Sequence, residues 1–553
     1  MRYGFFGMRF LLCLVLGIIL LLLCSCSRLG DYARERADKA AYKIIAQKQS
    51  HALGRADDIT IDPIHGQAFQ KVLEQAPRQD WARDYYTTPA YTLSLNDALA
   101  IGITNNRDYK TQKESLYTQA LSLTEVRRNF QPLFSGSVDG GVSRVEQDGE
   151  VEWYGARGFS GGVSKALATG ARISLDFSHS FIRYFTNDPR PAASNTFSAS
   201  FMQPLLRGAG RLVAHENLRQ AERSMIYNVR SFRRYQQGFI IDVMQRYYSL
   251  LSAQDQLKNE QGNYEKTVYN WQKLENFAKG GKATEVQVDQ ARQEVLRAES
   301  RISRTQASFG RQLDSFKIFL GLPIDLDMGP DPEELDILQA RGLLRPDMTL
   351  KDAVNIALEE RLDLKNQKDQ VEDNRRGVRI AFRNFFPHLD FNYKYSTSTG
   401  DDKDRIKLDF EDNTHEFSLN LGLPFDWTPR RNDYRRALIS LTQAERSLEE
   451  FEEKLVLDVR DAWRKLEQSR VDYKIQQESV RLSERRVEMA ALFLQSGRST
   501  ARDLLEAQEE LLSSKNALTT ALVQYTIQRL QFWNAIDRME IDEKGMWVEN
   551  PEQ

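Results

Sequence analysis

The 553-residue sequence predicts a mainly α protein with transmembrane β-strands, built as a tandem duplication of one unit. Each unit is a lead helix, a set of alternating strands and a long helical hairpin. Three observations predict this. Two distant stretches share an ungapped residue pattern. Each is followed by segments that alternate with a period of two. Each copy then ends in a very long helical pattern that breaks once, at a glycine.

Internal repeats come first, because missing them misreads the whole fold. LSLNDALAIGITNNRDYKTQ, from Leu93, aligns with MTLKDAVNIALEERLDLKNQ, from Met348, at an offset of 255. The same offset pairs RNFQP (128–132) with RNFFP (383–387), so Leu95, Asp97, Ala98, Ile101, Asp108, Lys110, Gln112, Arg128, Asn129, Phe130 and Pro132 recur unchanged. The later halves repeat at offset 216, matching Asp242-Val243 with Asp458-Val459, Gly281 with Gly497 and Thr284 with Thr500. The first copy therefore carries about 39 extra residues between its proline and its long helix.

The chain opens with a leader. Arg2 and Arg9 flank the start of an apolar run, Phe10 to Leu23, whose 14 residues suit a signal-peptide core and are short for a membrane span. The run ends Leu23-Cys24-Ser25-Cys26, resembling a bacterial lipobox with Cys26 as the residue to be lipidated. Ordinary cleavage beside an incidental cysteine is the plainer alternative. All three cysteines lie in these first 26 residues, so a cleaved chain keeps one and forms no internal disulfide. The boundaries read 1–25 for the leader and 26–92 for a polar, lipidated extension with a helical patch at 31–53.

The first repeat spans 93–320. Its lead helix, 95–130, stops at Pro132. Strands follow at about 133–204: Phe134 to Val142 on one parity, then runs around Ile173–Phe177 and Phe197–Phe201. Segments of about ten residues between polar loops are the weak signature of barrel strands, and a soluble sandwich would alternate similarly. The additional segment 158–177 holds two strand-like runs about the tight turn Ala168-Thr169-Gly170. Either both cross a membrane, giving six strands per chain, or they extend two of four standard strands outside it. A helical hairpin of 212–279 and 284–320 completes the copy.

Residues 321–349 form a linker rich in prolines and acids. The second repeat, 350–537, has a lead helix 350–385, strands at about 388–424 and a hairpin of 430–496 and 500–537; a tail, 538–553, follows. The long helices would span about 100 Å and the return helices about 55 Å, so one return plus one lead helix matches one long helix. Both return helices carry a 3-4 seam alternating large with small: Val288, Ala291, Val295, Ala298, Ile302, Thr305 and Phe309, against Leu504, Ala507, Leu511, Ser514, Leu518, Ala521 and Tyr525. The long helix has its own seam at Ile240, Met244, Tyr247 and Leu251. A narrow seam on an otherwise polar helix suits a water-filled tube or a solid coiled-coil rod. The paired strands favour the tube.

A net charge near −2 gives no nucleic-acid footprint, and the six histidines (His51, His65, His179, His215, His388 and His415) show no ligand spacing. No glycine-rich phosphate loop, nucleophile motif or metal cluster is present, so no enzyme, cofactor or metal site is expected, apart from the covalent lipid at Cys26.

With these residues in view, the chain resembles the TolC-like outer-membrane efflux protein family, lipoprotein type. LSLNDALAIGITNN and MTLKDAVNIALEER carry the resemblance, with QPLLRGAGR and LPFDWTPRR at strand-to-helix junctions and the G-x-x-T turns. It covers about 90–540 and implies a homotrimer. In that family twelve strands form an outer-membrane barrel, continued by a periplasmic helical tunnel. The tunnel's tips meet a periplasmic adaptor (membrane fusion protein) and an inner-membrane RND or ABC transporter. The implied role is a passive outer-membrane channel of a tripartite efflux or type I secretion system; a non-conducting coiled-coil tethering lipoprotein is the alternative.

The resemblance places Gly281, Lys282, Thr284, Gly497, Arg498 and Thr500 at adaptor-contacting tips. It places Asp503 and Glu506 at the periplasmic aperture, with Arg498 and Gln287 beside them. Val286-Gln287 stands where the family has a Thr-Asp pair, which puts a copied closing network in doubt. Thr284-Glu-Val-Gln287 has capping-box form, and Thr500-Ala-Arg-Asp503 a looser one.

Overall fold

The structure is a computed structural model describing residues 30–57, 59–61, 67–78, 89–147, 150–186, 191–281, 283–399, 408, 410–496, 498–542 and 545–548. The leader with Cys26, and also Lys282 and Gly497, lie outside the described residues.

The elements begin with α1 (30–53), α2 (Gln67–Gln75), β1 (Tyr91–Leu93), α3 (Leu95–Asn105) and α4 (Arg107–Arg128). Four strands follow: β2 (Leu133–Gln147), β3 (Glu150–Ala166), β4 (Arg172–Tyr184) and β5 (Pro191–Pro204). The hairpin of copy one is α5 (Arg211–Ala214), α6 (Glu216–Lys279) and α7 (Glu285–Leu320). The linker holds β6 (Met328–Pro330) and α8 (Glu333–Arg341). Copy two is α9 (Leu350–Glu360), α10 (Leu362–Arg383), β7 (His388–Thr399), β8 (Asn413–Gly422), α11 (Thr428–Gln495) and α12 (Ala501–Ala535).

The sequence expectation of continuous lead helices needs correction. Both break at the same repeat position, Asn106 and Arg361, where ψ swings to 133° and 119°. In copy one, Asn106 caps the next helix: its Oδ1 accepts the Tyr109 amide at 2.8 Å, while its Nδ2 donates to the Phe319 carbonyl at 2.7 Å. In copy two the Arg361 guanidinium grips Asp363 at 2.8 Å, and the Leu362 amide donates to Asp537 at 2.9 Å. Residues distant in sequence, Phe319 and Asp537, help fix both breaks, and helical periodicity runs through them. The starts of these helices are local: Ser94 accepts the Asp97 amide, and Thr349 forms a complete capping box with Asp352. The long helix of copy one is also interrupted, at His215, whose ring lies 4.5 Å from that of Phe130.

The chain divides into two compact units. One gathers the described parts of Met1–Ala52, Tyr117–Val229 and Asn366–Leu448. It holds a six-stranded antiparallel sheet in the order β2-β3-β4-β5-β7-β8. Strands from both copies thus lie side by side, joined where β5 pairs with β7. Register and alternation separate two faces. One row across all six strands reads Phe134, Val163, Leu175, Ala199, Tyr395 and His415. The adjoining row on the other face reads Leu133, Ser164, Ser174, Ser200, Lys394 and Glu416. Hydroxyl pairs such as Ser137–Ser160 (2.8 Å) and Ser174–Ser200 (2.7 Å) continue the polar face. In the helical part of this unit, Arg127 pairs with Glu222 at 2.6 Å and Arg376 with Glu216 at 3.2 Å.

The other unit gathers the described parts of Leu53–Leu116, Arg230–Lys365 and Glu449–Gln553. Its core forms where Tyr109 packs among the tilted rings of Phe232, Tyr235 and Phe239, with ring centroids 4.8 to 6.0 Å apart. Burial pushes the Tyr109 phenol up to about 12. A short parallel pair, β1 with β6, joins the start of copy one to the linker. The buried Tyr247 hydroxyl secures it, donating to the Leu93 carbonyl at 2.9 Å and accepting the Asp331 amide at 3.2 Å. The long-helix seam is buried as expected at Ile240, Met244, Tyr247 and Leu251. Among the described residues, no helix is long and apolar enough to cross a membrane.

Candidate functional site

The two hairpin tips are built by the same local chemistry. In copy one the chain leaves α6 through Gly281, whose φ of +70° is open to glycine at little cost. It restarts at Thr284, which accepts the Gln287 amide at 3.3 Å while Gln287 Oε1 accepts the Thr284 amide at 3.0 Å. In copy two Thr500 accepts the Asp503 amide at 3.3 Å, and Asp503 Oδ2 accepts the Thr500 amide at 2.8 Å. Both boxes are complete, so the copy-two cap is as well formed as its partner, contrary to the looser form expected from its sequence.

Asp503 and Gln287 therefore occupy equivalent places. The Asp503 carboxylate takes further hydrogen bonds from the Thr500 hydroxyl (2.8 Å) and Ser499 hydroxyl (2.9 Å). These donors, the Thr500 amide first, hold it below the usual carboxylate range. Glu506 takes a 2.8 Å hydrogen bond from Arg502 one turn earlier. Arg498 is exposed; its amide donates to Phe493, and its side chain is not brought to Asp503 within one chain. Below the caps, Leu274, Ala291 and Ala501 form one apolar cluster with Trp271 and Ala283, so the copy-one tip packs directly on the start of α12. Ala490, Leu504 and Ala507 form a second. The small seam positions Ala291, Ala298 and Ala507 are fully buried, as helices in close approach require.

Two further surfaces were missed by the seam reading. Helix α11 exposes Val471, Ile475, Leu482, Met489 and Leu492, and Ile475, Leu482 and Met489 recur every seven residues. That spacing is the signal of a second apolar stripe, beside the side of α11 that packs on α12. An open groove of about 780 Å³ runs along it, lined by Val471, Ile475, Ser479, Leu482 and Glu510. The second surface is the pair of sheet edges. Edge strand β2 exposes Phe134 (78 %) and Val138 (87 %), and edge strand β8 exposes Phe417 and Leu419.

Comparison with known proteins gives concordant findings. Residues 353–536 match the family model described as outer membrane efflux protein. Among solved structures, CusC is similar with a TM-score of 0.59 at 14 % identity, over 84 % of this chain and 96 % of that one. The Campylobacter jejuni CmeC outer membrane channel matches with a TM-score of 0.59 at 15 % identity, over 86 % and 96 %. The open state of the Neisseria gonorrhoeae MtrE outer membrane channel matches with a TM-score of 0.57 at 14 % identity, over 83 % and 94 %. No curated protein sequence matches the chain.

Proposed function

We propose that this chain is a TolC-like outer-membrane efflux protein, three copies of which form a passive exit duct in the outer membrane. The duct receives substrate from an inner-membrane RND or ABC transporter through a periplasmic adaptor. It supplies no catalysis and no energy of its own. The observation that carries this is the composite sheet. Strands of both repeats share one apolar and one polar face, and each repeat pairs its strands with a long helical hairpin. A tethering rod has no use for such a sheet.

Within this reading Cys26 carries the lipid that anchors the mature N-terminus to the outer membrane. Gly281, Lys282, Thr284, Gly497, Arg498 and Thr500 meet the adaptor. Asp503 and Glu506, with Gln287 and Arg498 near them, ring the periplasmic aperture. Threefold symmetry would bring six carboxylates to one opening, a cation-attracting arrangement. The charge needed is supported by the depressed Asp503 carboxyl, which stays ionised at neutral pH. Asp503 serves its helix cap at the same time, since the hydrogen bonds from Thr500 and Ser499 all fall on Oδ2.

The test is twofold. Purified trimers are placed in planar bilayers, where conducting pores are expected and a consistent lack of conductance defeats the reading. Photo-crosslinkers at Lys282 and Arg498 in cells should capture a periplasmic adaptor. In the same bilayers Asp503→Asn should reduce cation preference about twofold or more, and an unchanged preference removes Asp503 from the aperture.

A further inference from the structure

We propose that the barrel of this protein has eighteen strands, six from each of three copies, closed by pairing the β8 edge of one copy with the β2 edge of the next. The inference rests on the duct reading above and adds the width of its membrane segment. It turns on the inserted hairpin β3–β4, which either spans the membrane beside the other strands or stands outside it.

Length and register place the hairpin in the membrane. A tilted spanning strand needs about 9–11 residues, and β3 and β4 have 17 and 13. Both pair along their length with neighbours on either side, β2 against β3 and β4 against β5. The tight turn between them is pinned at the helical end of the sheet. Gly210 donates its amide to the Thr169 carbonyl at 2.9 Å, and Thr169 Oγ1 donates to Gln203 at 3.0 Å. Gly170, at φ +91°, lies so close to this junction that a Cβ there would sit 2.7 Å from the Gly208 carbonyl. That junction leads directly into α5 and α6. A hairpin projecting beyond the membrane would carry its turn away from the helices, and this one holds it against them.

The faces agree. Phe159, Val163, Ile173, Leu175 and Phe177 continue the apolar face of β2, β5 and β7, while Ser160, Ser164, Ser174, Ser178 and Ser180 continue the polar one. On the polar face, Gly158 and Gly162 leave room for carboxylates on neighbouring strands: a Cβ would meet Asp139 at 2.8 Å and Asp176 at 2.4 Å. Charge enters the apolar face where it should. Arg157, its guanidinium 4.4 Å from the Phe181 ring centre, stands nine residues from Ala166. At barrel tilt that is about 23 Å of rise, the upper margin of an apolar band about 25 Å tall.

The occupant of each edge is a second copy. β2 runs away from the helical end and β8 toward it, so abutting them gives an antiparallel pair like every other pair in the sheet. Their exposed side chains, Phe134 and Val138 on β2 and Phe417 and Leu419 on β8, share the apolar face. A sheet in hydrocarbon has no water for its edge groups and must close. Eighteen strands give a backbone diameter of about 35 Å, roughly 1.5 times that of twelve. The serine- and glycine-rich lining fills little of that width, which fits passage of bulky hydrated cargo through this segment.

The test uses full-length trimers in bilayers carrying lipids spin-labelled along the acyl chain. Single cysteines replacing Val163, Phe177 and Leu419 are labelled with an environment-sensitive fluorophore. Quenching at 163 and 177 within about twofold of that at 419 is the expected result. Strong quenching at 419 with tenfold weaker quenching at both hairpin sites places the hairpin outside the membrane and overturns the eighteen-strand barrel, leaving the duct intact. Absence of quenching at all three sites overturns the duct reading itself. Disulfide-linked trimers from the double variant Ser137→Cys, Ser418→Cys are expected from the edge pairing. If crosslinks form only within single chains, the proposed closure is wrong.

Discussion

The two repeats use one plan and enforce it with different chemistry. At the lead-helix break, copy one relies on a neutral amide, Asn106, while copy two uses the ion pair Arg361–Asp363 with Arg234 and Asp537 nearby. At the tips, copy one closes its capping box with Gln287 and copy two with Asp503. The long helices differ most. Helix α6 buries a run of large residues including Phe239, Met244, Tyr247 and Leu251. Among its described residues α11 buries only Leu455, Val459, Leu466, Ser469, Ser483 and Ala490. After duplication, copy one has become the internally packed half. Copy two leaves more of its long helix's apolar residues exposed, Ile475, Leu482 and Met489 among them.

The largest difference should appear at the breaks. Arg361→Ala leaves the half-buried Asp363 with the Leu364 amide and one cation, Arg234, 3.9 Å away, and should cost about 3 kcal/mol. Asn106→Ala removes two hydrogen bonds without stranding a charge and should cost about 2 kcal/mol. Thermal unfolding in detergent reads both, and a larger loss for Asn106→Ala would reverse the ranking. Next, Tyr247→Phe removes the hydroxyl that secures β1 to β6 and should cost about 1–2 kcal/mol. Copy two has no counterpart to this clasp among its described residues, so the aligned change Trp463→Phe should leave β1–β6 untouched. Amide exchange across 91–93 distinguishes the two.

The tip caps come third. Thr284→Ala and Thr500→Ala should each cost about 1 kcal/mol, a roughly fivefold loss of amide protection in the first turns of α7 and α12. Unequal losses would show that the polar partner, Gln287 or Asp503, matters more than the threonine. The smallest effect is pH dependence. The folded Asp503 carboxyl lies below its usual range, so its contribution is complete above the ordinary carboxylate value and is lost as pH falls through the lowered one. The Gln287 cap does not titrate. Acidification should therefore loosen residues 501–506 and spare 285–290, and equal loosening would place the acid sensitivity elsewhere.

What could be read from the sequence was what the chain decides locally. The G-x-x-T turns, the capping residues three positions on and the strand alternation all sit within a few residues of their cause. The repeat itself was legible because the lead-helix motif and its proline survived at one offset. The breaks at Asn106 and Arg361 were hidden because their partners, Phe319 in α7 and Asp537 just past α12, lie far away in sequence. Asn106 followed by Arg107-Asp108 was a cap signal that helical periodicity outweighed; Arg361 offered none. The position of the β3–β4 hairpin was open for the same reason, since Gly208 and Gly210 hold its turn from across a strand. The second stripe on α11 had a sevenfold spacing, but charged neighbours masked it.

The β1–β6 clasp also sets an order in time. Tyr91 and Met328 pair directly although more than two hundred residues separate them. Closing so long a loop is slow, and the strand partner does not exist until the linker has been made. The clasp therefore cannot close until the linker follows the first repeat. The clasp needs only the linker, whereas the packing of Leu274 and Ala291 against Ala501 must wait for the end of the second repeat.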